Sequence, residues 1–203
     1  MTIKYLKKAI KTPSTDDHKT REAVQNILDD IEKRREEGIR EVTKKFDKYE
    51  GDIIVSKEKI EEAIKKVDQK TKDDVQFAYE RIKKFAEHQL KSMNNEFEVE
   101  LSKGLFAGQR LIPVDTAGCY IPGGRYAHIS SATMAITPAK VAGVGTIICA
   151  SPPKDENGAH PGIIYAANLC GADVILNLGG IAAIASMAYG CFKNPEVDFL
   201  VGA

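Results

Sequence analysis

The fold is decided by residues 113–153, PVDTAGCYIPGGRYAHISSATMAITPAKVAGVGTIICASPP. This stretch passes from a strand end through a Pro-Gly-Gly turn into a helix of small residues, and then into an apolar strand that Ser-Pro-Pro stops. That order opens a layered α/β unit, and such units bind ligands just beyond the carboxyl ends of their strands. Because Pro138 lies inside the helical segment, we expect that helix to kink or divide near Thr137.

Three short apolar runs follow one another from residue 144 onward, at residues 144–150, 173–178 and 197–202. Pro or Gly bounds these runs, and segments of helical composition separate them at residues 162–170 and 181–189. Strands that alternate with helices favour a parallel sheet with helices packed on its faces. The pattern therefore predicts the α/β class with right-handed crossovers.

The first half of the chain differs in composition and is predicted to be mainly helical. Residues 1–111 hold forty-eight of the fifty-eight charged residues, whereas residues 112–203 hold twelve of the sixteen glycines. Apolar residues recur at helical spacing, and Thr71 with Asp74 predicts a capping box at the start of the longest helix. Over residues 97–101 the period changes to two, which predicts a β-hairpin. We place a boundary between a helical region with hairpin, residues 1–117, and a sheet domain, residues 118–203.

The overall composition excludes several classes of function. Twenty-nine basic residues balance twenty-nine acidic ones, so no net field favours nucleic acid or an anionic membrane. The chain has no apolar run of spanning length and no secretion signal at its start, which predicts a cytoplasmic protein. The four cysteines lie far apart without a Cys-x-x-Cys pair, so we expect buried, reduced thiols.

Candidate binding residues lie where the predicted strands end. Gly179 and Gly180 separate a strand from a helix, where the absence of side chains permits close approach of a ligand. Packing alone also needs small residues there, no G-x-G-x-x-G motif occurs, and spacing alone favours a structural role. Tyr120 precedes the rigid Pro-Gly-Gly turn, so its ring could stack on a planar base or simply belong to the core.

Polar candidates for a substrate site follow the same turn. Arg125 could hold an anionic group or cap backbone carbonyls, and His128 lies three residues further on. His18 and His88 lie in charged helical segments, where we expect them to be solvated, and His160 is predicted to lie in a loop. Neither a metal-ligand spacing nor a Ser/His/Asp arrangement is present, so the residues define no complete catalytic constellation.

Several segments occur in an order that resembles the histidinol dehydrogenase family. They are CYIPGGRYAHISSATMAITPAKVAGV, IICASPP, AANLCGAD and LNLGGIAAIASMAYG, together with ILDDIEKRREEGIREVTKKFDKYEGD in the first half. The resemblance covers essentially the whole chain. The combination AGCYIPGGRYAHISSA with FEVELSKGLFAGQRLIPV looks closer to the branch that oxidises sulfopropanediol than to the histidine-biosynthetic enzymes.

This resemblance implies a homodimeric, zinc- and NAD-dependent enzyme that oxidises a primary alcohol through an aldehyde to a carboxylate. The substrate would be L-histidinol, giving L-histidine, or sulfopropanediol, giving sulfolactate. It also implies an incomplete Rossmann-like parallel sheet with flanking helices. The zinc ligands and the acid/base Glu-His pair of the family belong to its later half, so we expect neither metal ligands nor catalytic residues in this chain, which would form the amino-terminal part of such an enzyme.

The resemblance also assigns roles to particular residues. The tyrosine of the Tyr-x-Pro-Gly-Gly motif contacts NAD in the family, and it corresponds to Tyr120. A family glutamine that contacts NAD corresponds to Ala182, a departure that puts this cofactor contact in question. The expected cofactor-binding residues are Tyr120, Pro122, Ser151, Pro152, Gly179 and Gly180, with Arg125 and His128 as candidates for the substrate.

Two hypotheses from different classes follow. In the first, the chain is the amino-terminal part of an alcohol-oxidising dehydrogenase that takes a small-molecule substrate. In the second, it is a non-catalytic nucleotide-binding or assembly module that keeps the fold without the chemistry. A nucleic-acid-binding helical domain is disfavoured because the basic residues of the first half alternate with acidic ones.

Overall fold

The computed structural model of the protein describes residues 18–93, 96–123 and 126–202. Four helices and a hairpin precede a unit in which strands alternate with helices. In chain order the elements are α1 (His18–Arg34), α2 (Glu36–Asp47), α3 (Lys57–Lys66), α4 (Gln69–Ser92), β1 (Glu96–Ser102), β2 (Leu105–Arg110), β3 (Thr116–Tyr120), α5 (Ile129–Val141), β4 (Thr146–Ser151), β5 (Pro153–Asp155), β6 (Gly158–Ala159), α6 (Pro161–Cys170), β7 (Val174–Asn177), α7 (Gly180–Ala188) and β8 (Phe199–Gly202).

A four-stranded sheet in the order β7-β4-β3-β8 forms the centre of the molecule, and every neighbouring pair is parallel. Numbered by appearance, these strands read 3-2-1-4, which is the first part of the doubly wound 3-2-1-4-5-6 order. Successive strands are added in one direction from β3 to β4 and β7, whereas β8 is added on the other side of β3, so the switch point lies between β3 and β8. The predicted α/β class with a parallel sheet and flanking helices is confirmed.

Alternation along the central strand divides the core into two layers. Ile147 and Cys149 of β4 pack with α3 to α6 on one face, while Ile148 and Ala150 pack with α1, α2 and α7 on the other. Both core clusters combine residues from either side of the 117/118 boundary. The helices of the first half of the chain therefore form outer layers that cover the sheet of the second half. The division into two domains stays a prediction.

Two aspartates set the register of the parallel strands at their amino ends. The Asp173 carboxylate accepts the Ile147 N–H at 2.8 Å, which ties the start of β7 to β4. Likewise, Asp198 accepts the Thr116 N–H at 2.8 Å and ties the start of β8 to β3. Because a one-residue slip would move each strand's apolar side chains to the wrong face, these bonds help to specify the alignment.

The outer edge of β7 is covered by the segment that joins α2 to α3. Val55 donates its N–H to the Ile175 carbonyl at 2.9 Å, and Asn177 donates its N–H to the Ile53 carbonyl at 2.7 Å. This antiparallel segment satisfies backbone groups that would otherwise form an open sheet edge. It also brings the end of α2 close to the carboxyl end of β7.

The predicted β-hairpin is present, and it stands away from the sheet. The strands β1 and β2 pair antiparallel, and all their side chains are exposed. One face carries apolar side chains, those of Phe97, Val99, Leu101, Leu105 and Ala107, while Glu96, Glu98 and Glu100 lie on the other. A two-stranded hairpin is marginally stable alone in water, so its apolar face is a surface suited to being covered.

One local prediction was wrong, and another was wrong in part. The long helix begins at Gln69, because Asp68 rather than Thr71 caps it, accepting the Thr71 N–H at 2.9 Å. Pro138 does not divide α5, which runs as one helix from Ile129 to Val141. The prediction for His160 is confirmed: it lies in the loop between β6 and α6, where it also caps α6, because its Nδ1 accepts the Gly162 N–H at 3.1 Å. The small hairpin of β5 and β6 was not predicted, since two or three residues carry too little periodic signal.

Candidate functional site

Tyr120 is the last residue of β3 and lies at the carboxyl edge of the sheet, next to the switch point. It stands in register with Ala150 on one side and Gly202 on the other. Its hydroxyl oxygen accepts the N–H of Gly180 at 3.3 Å. Two predicted site residues, separated by much of the second half of the chain, are therefore brought into direct contact.

The turn after Tyr120 rests on the end of β4. A Cβ atom added to Gly123 would lie 3.1 Å from the Ser151 Oγ and 3.0 Å from the Pro152 Cγ, so only glycine fits this approach without a shift. Ser151 is 0% exposed, and its hydroxyl has no hydrogen-bond partner among the described residues. A buried hydroxyl without a partner costs stability, and its full burial keeps it out of reach of a ligand in this conformation.

The turn after β7 completes the crevice and introduces a residue that the sequence reasoning missed. The carboxylate of Asp47, the last residue of α2, lies beside Gly179: a Cβ atom on Gly179 would lie 3.1 and 3.2 Å from its two oxygens. Burial raises the pKa of Asp47, and the nearby Gly179 N–H offsets part of the rise. A Cβ atom on Gly179 would lie 2.7 Å from the Pro152 Cβ, so the ends of β4 and β7 are also in contact.

A small cavity of about 230 Å³ opens beside this turn. Its lining consists of the end of α2 and the beginning of α7, namely Val42, Phe46, Asp47, Gly179, Gly180 and Ile181. The walls are mainly apolar, and the Phe46 side chain is 59% exposed. No spacing rule relates residues near 46 to residues near 180, so the sequence contained no signal for this cavity.

The structure describes one of the two predicted substrate residues. His128 is exposed and immediately precedes α5, without a side-chain cap hydrogen bond. Arg125 lies outside the described residues. Ala182, where the family resemblance implies a glutamine, is 1% exposed and packs in the core layer with Leu178, so its side chain points into the protein.

The remaining titratable groups do not form a reactive cluster. Within the ranges that the structure describes, no group of three His, Cys, Asp or Glu side chains could hold a metal ion. All four cysteines are buried and free, as expected, and burial raises the pKa of the Cys119 thiol to about 12. His18 and His88 are exposed, as predicted.

The fold places the chain among parallel α/β proteins with a crevice at the carboxyl edge of the sheet. The family model described as histidinol dehydrogenase matches residues 10–203. The chain therefore belongs to the histidinol dehydrogenase family. Across residues 18–93, 96–123 and 126–202, the helices lack the length and apolar content that a membrane crossing requires.

Individual relatives refine this assignment. A histidinol dehydrogenase homolog of Pelagibacter ubique is 66% identical over 202 residues, covering 100% of this chain and 47% of that protein. The sulfopropanediol 3-dehydrogenase of Ruegeria pomeroyi is 48% identical and is covered to 46%. The crystal structure of histidinol dehydrogenase from Elizabethkingia anophelis superposes with a TM-score of 0.86 at 31% identity, covering 94% of this chain and 44% of that one. The chain thus spans about half the length of the relatives it matches.

Proposed function

We propose that this chain forms the NAD-binding part of an enzyme that oxidises a primary alcohol to a carboxylate. The observation that carries the proposal is the contact between Tyr120 and Gly180 at the carboxyl edge of a sheet with nucleotide-binding strand order. Bound NAD would supply the hydride acceptor. Membership of the histidinol dehydrogenase family supports the same activity class.

Each residue of the crevice has a distinct part in holding the cofactor. The Tyr120 ring offers a flat face, and its hydroxyl is oriented by the Gly180 N–H. Pro122 and Pro152 give the crevice rigid, apolar walls, and the buried Ser151 packs against the turn at Gly123. Gly179 and Gly180 keep the start of α7 free of side chains, which allows a ligand to approach the backbone. Ala182 is buried, so it makes no contact from the crevice side.

Zinc is implied by the family, but the described residues do not fit a zinc site. They contain no cluster of three side chains of the types that bind this metal. We therefore derive no catalytic step through zinc, and we assign this chain to binding and orienting the cofactor.

For the substrate we propose sulfopropanediol ahead of histidinol. The identity of 48% with the Ruegeria pomeroyi enzyme supports this choice, compared with 43% over 180 residues for the histidinol dehydrogenase of Methanococcus maripaludis. Arg125 and His128 are the candidates to recognise a sulfonate, because a guanidinium binds such anions by paired hydrogen bonds.

The test is to assay the complete natural protein with NAD and each alcohol, following NADH absorbance. We expect reduction of NAD with sulfopropanediol at a higher kcat/KM than with histidinol. Reduction with neither alcohol would refute the enzymatic proposal and favour the non-catalytic binding module, for which the buried Ala182 is the supporting observation. Tyr120→Ala should weaken NAD binding about tenfold or more. Tyr79→Ala, which alters a half-buried tyrosine of the opposite core layer, is the matched control.

We also propose that the protein is a homodimer and that the apolar hairpin face is covered by a second copy. The supporting observation is the exposure of Val99 and Leu101 on a hairpin whose two strands pack mainly on each other and make few contacts with the other described elements. Replacing both residues by threonine keeps strand propensity while removing apolar contact area. Sedimentation velocity should then show weaker association than for the wild type, and an unchanged dimer would exclude this face.

A further inference from the structure

The small hairpin of β5 and β6 carries the one Asn-Gly step of the sequence, Asn157 followed by Gly158. Glu156 and Asn157 form the turn between the two strands, and both are exposed. Asparagine is a chemically labile residue, because its side-chain amide can react with the backbone nitrogen of the next residue. A glycine at that next position has no side chain to hinder the reaction. The turn is therefore a place where the chain can modify itself.

We propose that Asn157 is a site of spontaneous deamidation, and that its isoaspartate product uncouples the β5–β6 hairpin from Asn177. The Gly158 nitrogen gives up its proton to the solvent and forms a bond to the Asn157 Cγ. The bond from Cγ to Nδ2 then breaks, and ammonia leaves a cyclic succinimide. Water opens the ring at either carbonyl, which gives aspartate or isoaspartate without any oxidant or reductant. This inference does not depend on the proposed NAD-binding function.

Asp155 restrains this reaction in the folded protein. Its Oδ1 accepts the backbone N–H of Asn157 at 2.8 Å and the Nδ2 of the same residue at 3.1 Å. Because ring closure expels Nδ2, the second of these hydrogen bonds must break before the product forms. Both residues are exposed, however, and water readily replaces a hydrogen bond between exposed groups. Asp155 therefore slows the deamidation without preventing it.

The position of Gly158 makes the isoaspartate product disruptive. Isoaspartate routes the main chain through the side-chain carbon of the former Asn157, so the backbone gains one carbon just before Gly158. Gly158 is buried, and a Cβ atom on it would lie 2.6 Å from the Asn177 Oδ1, so the displaced backbone has no free space. Ala159, the next residue, donates its N–H to the same oxygen at 2.8 Å. The added carbon therefore breaks this hydrogen bond, whereas the aspartate product keeps the backbone length and preserves it.

Asn177 extends the effect to a distant part of the chain. Its Nδ2 donates to the Asp52 carbonyl at 2.8 Å, in the segment that joins α2 to α3. Loss of the contact on the hairpin side leaves the buried Ala159 N–H without its acceptor, which destabilises the folded state. Isoaspartate at position 157 therefore lowers the stability of the protein as well as altering its own turn.

The test is to incubate the native protein at pH 8 and to follow each asparagine by peptide mass spectrometry. Labelling by a protein isoaspartate methyltransferase counts the isoaspartate formed. We expect Asn157 to deamidate about tenfold or more faster than Asn168, which is also exposed but precedes a leucine within α6. Asp155→Ala should raise the rate at Asn157 about twofold or more, because it removes the restraint on the amide. Asn157→Gln is the matched control and should form no isoaspartate at this position, since its longer side chain closes a ring much more slowly.

The structural consequence is measured on the isoaspartate form after its separation by ion exchange. Its urea midpoint should fall and the Ala159 amide should exchange faster than in the unmodified protein. Asn157→Asp, which carries the charge of the product without the added carbon, should match the unmodified protein in both measurements when freshly prepared. If Asn157 stays intact in the native protein but deamidates in denaturant, the folded turn protects it and the proposal is wrong. If isoaspartate forms and neither the midpoint nor the exchange changes, the uncoupling from Asn177 is refuted.

Discussion

Replacing Asn177 by alanine should destabilise the protein more than any other single change to a polar side chain described above. Asn177 ends β7, is 4% exposed, and joins three separate parts of the chain. Its Nδ2 donates to the Asp52 carbonyl at 2.8 Å and to the Tyr49 hydroxyl at 3.2 Å. Its Oδ1 accepts the N–H of Ala159, itself buried, at 2.8 Å.

The expected magnitude follows from these three hydrogen bonds. Each contributes about 1 kcal/mol net, and the Ala159 N–H, left buried without an acceptor, adds a penalty of about 1–3 kcal/mol. The sum is about 4–6 kcal/mol, a large share of the ~5–15 kcal/mol that stabilises a typical domain. The same change should loosen the segment that follows α2 and so disturb the position of Asp47.

Urea unfolding at pH 7, followed by far-UV circular dichroism, measures this effect. Asn168→Ala on the exposed side of α6 is the matched control and should change the free energy of unfolding by less than about 0.5 kcal/mol. Hydrogen exchange of the Ala159 amide should accelerate in Asn177→Ala. A loss of less than 1 kcal/mol, with Ala159 exchange unchanged, would show that these hydrogen bonds do not hold the three segments together.

Three further predictions concern stability and thiol chemistry. Burial lowers the pKa of His160, so the stability that its cap contributes is complete above about pH 6.5, the pKa of the unfolded state, and is lost as the pH falls through the folded pKa. Replacing His160 by alanine should therefore cost about 1 kcal/mol of unfolding free energy at pH 8 and much less at pH 5. An equal cost at both pH values would contradict this prediction. The four buried thiols should resist a thiol reagent at pH 8 in the native protein and react with it in denaturant, since burial raises the pKa of Cys119 to about 12. Rapid reaction of the native protein with the reagent would show that the thiols are not buried. Ile148→Ala should cost about 2–5 kcal/mol in urea unfolding, because Ile148 is 0% exposed, whereas Ile112→Ala, at a side chain 77% exposed, should cost little.

Much of the fold was predictable because local patterns agree with the tertiary structure. The apolar runs after residue 144 became β4, β7 and β8. Helices cover β4 and β7 on both faces, and such strands need continuous apolar sequence. The helix boundaries were less certain. Thr71 and Asp68 are both residues that cap helices, and only the backbone path decides which of them accepts the first free N–H groups.

The candidate site was predictable only in part. Tyr120, Ser151 and Gly179 were expected at one edge of the sheet because parallel strands have all their carboxyl ends there. In the structure the turns that follow these strands are in contact with one another. Ala182 could not be assigned an orientation from the sequence. Its burial depends on which face of α7 meets the sheet, and a helix composed almost entirely of apolar residues carries little information about that choice.

The amino-acid sequence by itself determined the alternation of strands and helices, the parallel sheet and the glycine-rich turns at its carboxyl edge. Those features depend on short-range periodicity and turn chemistry, which neighbouring residues specify. Only the tertiary structure decided that Asp47 meets Gly179 and that Asn177 joins Asp52 to Ala159. The reason is that α2 reaches the sheet edge through a segment paired with β7, and pairing between distant segments depends on how whole layers pack.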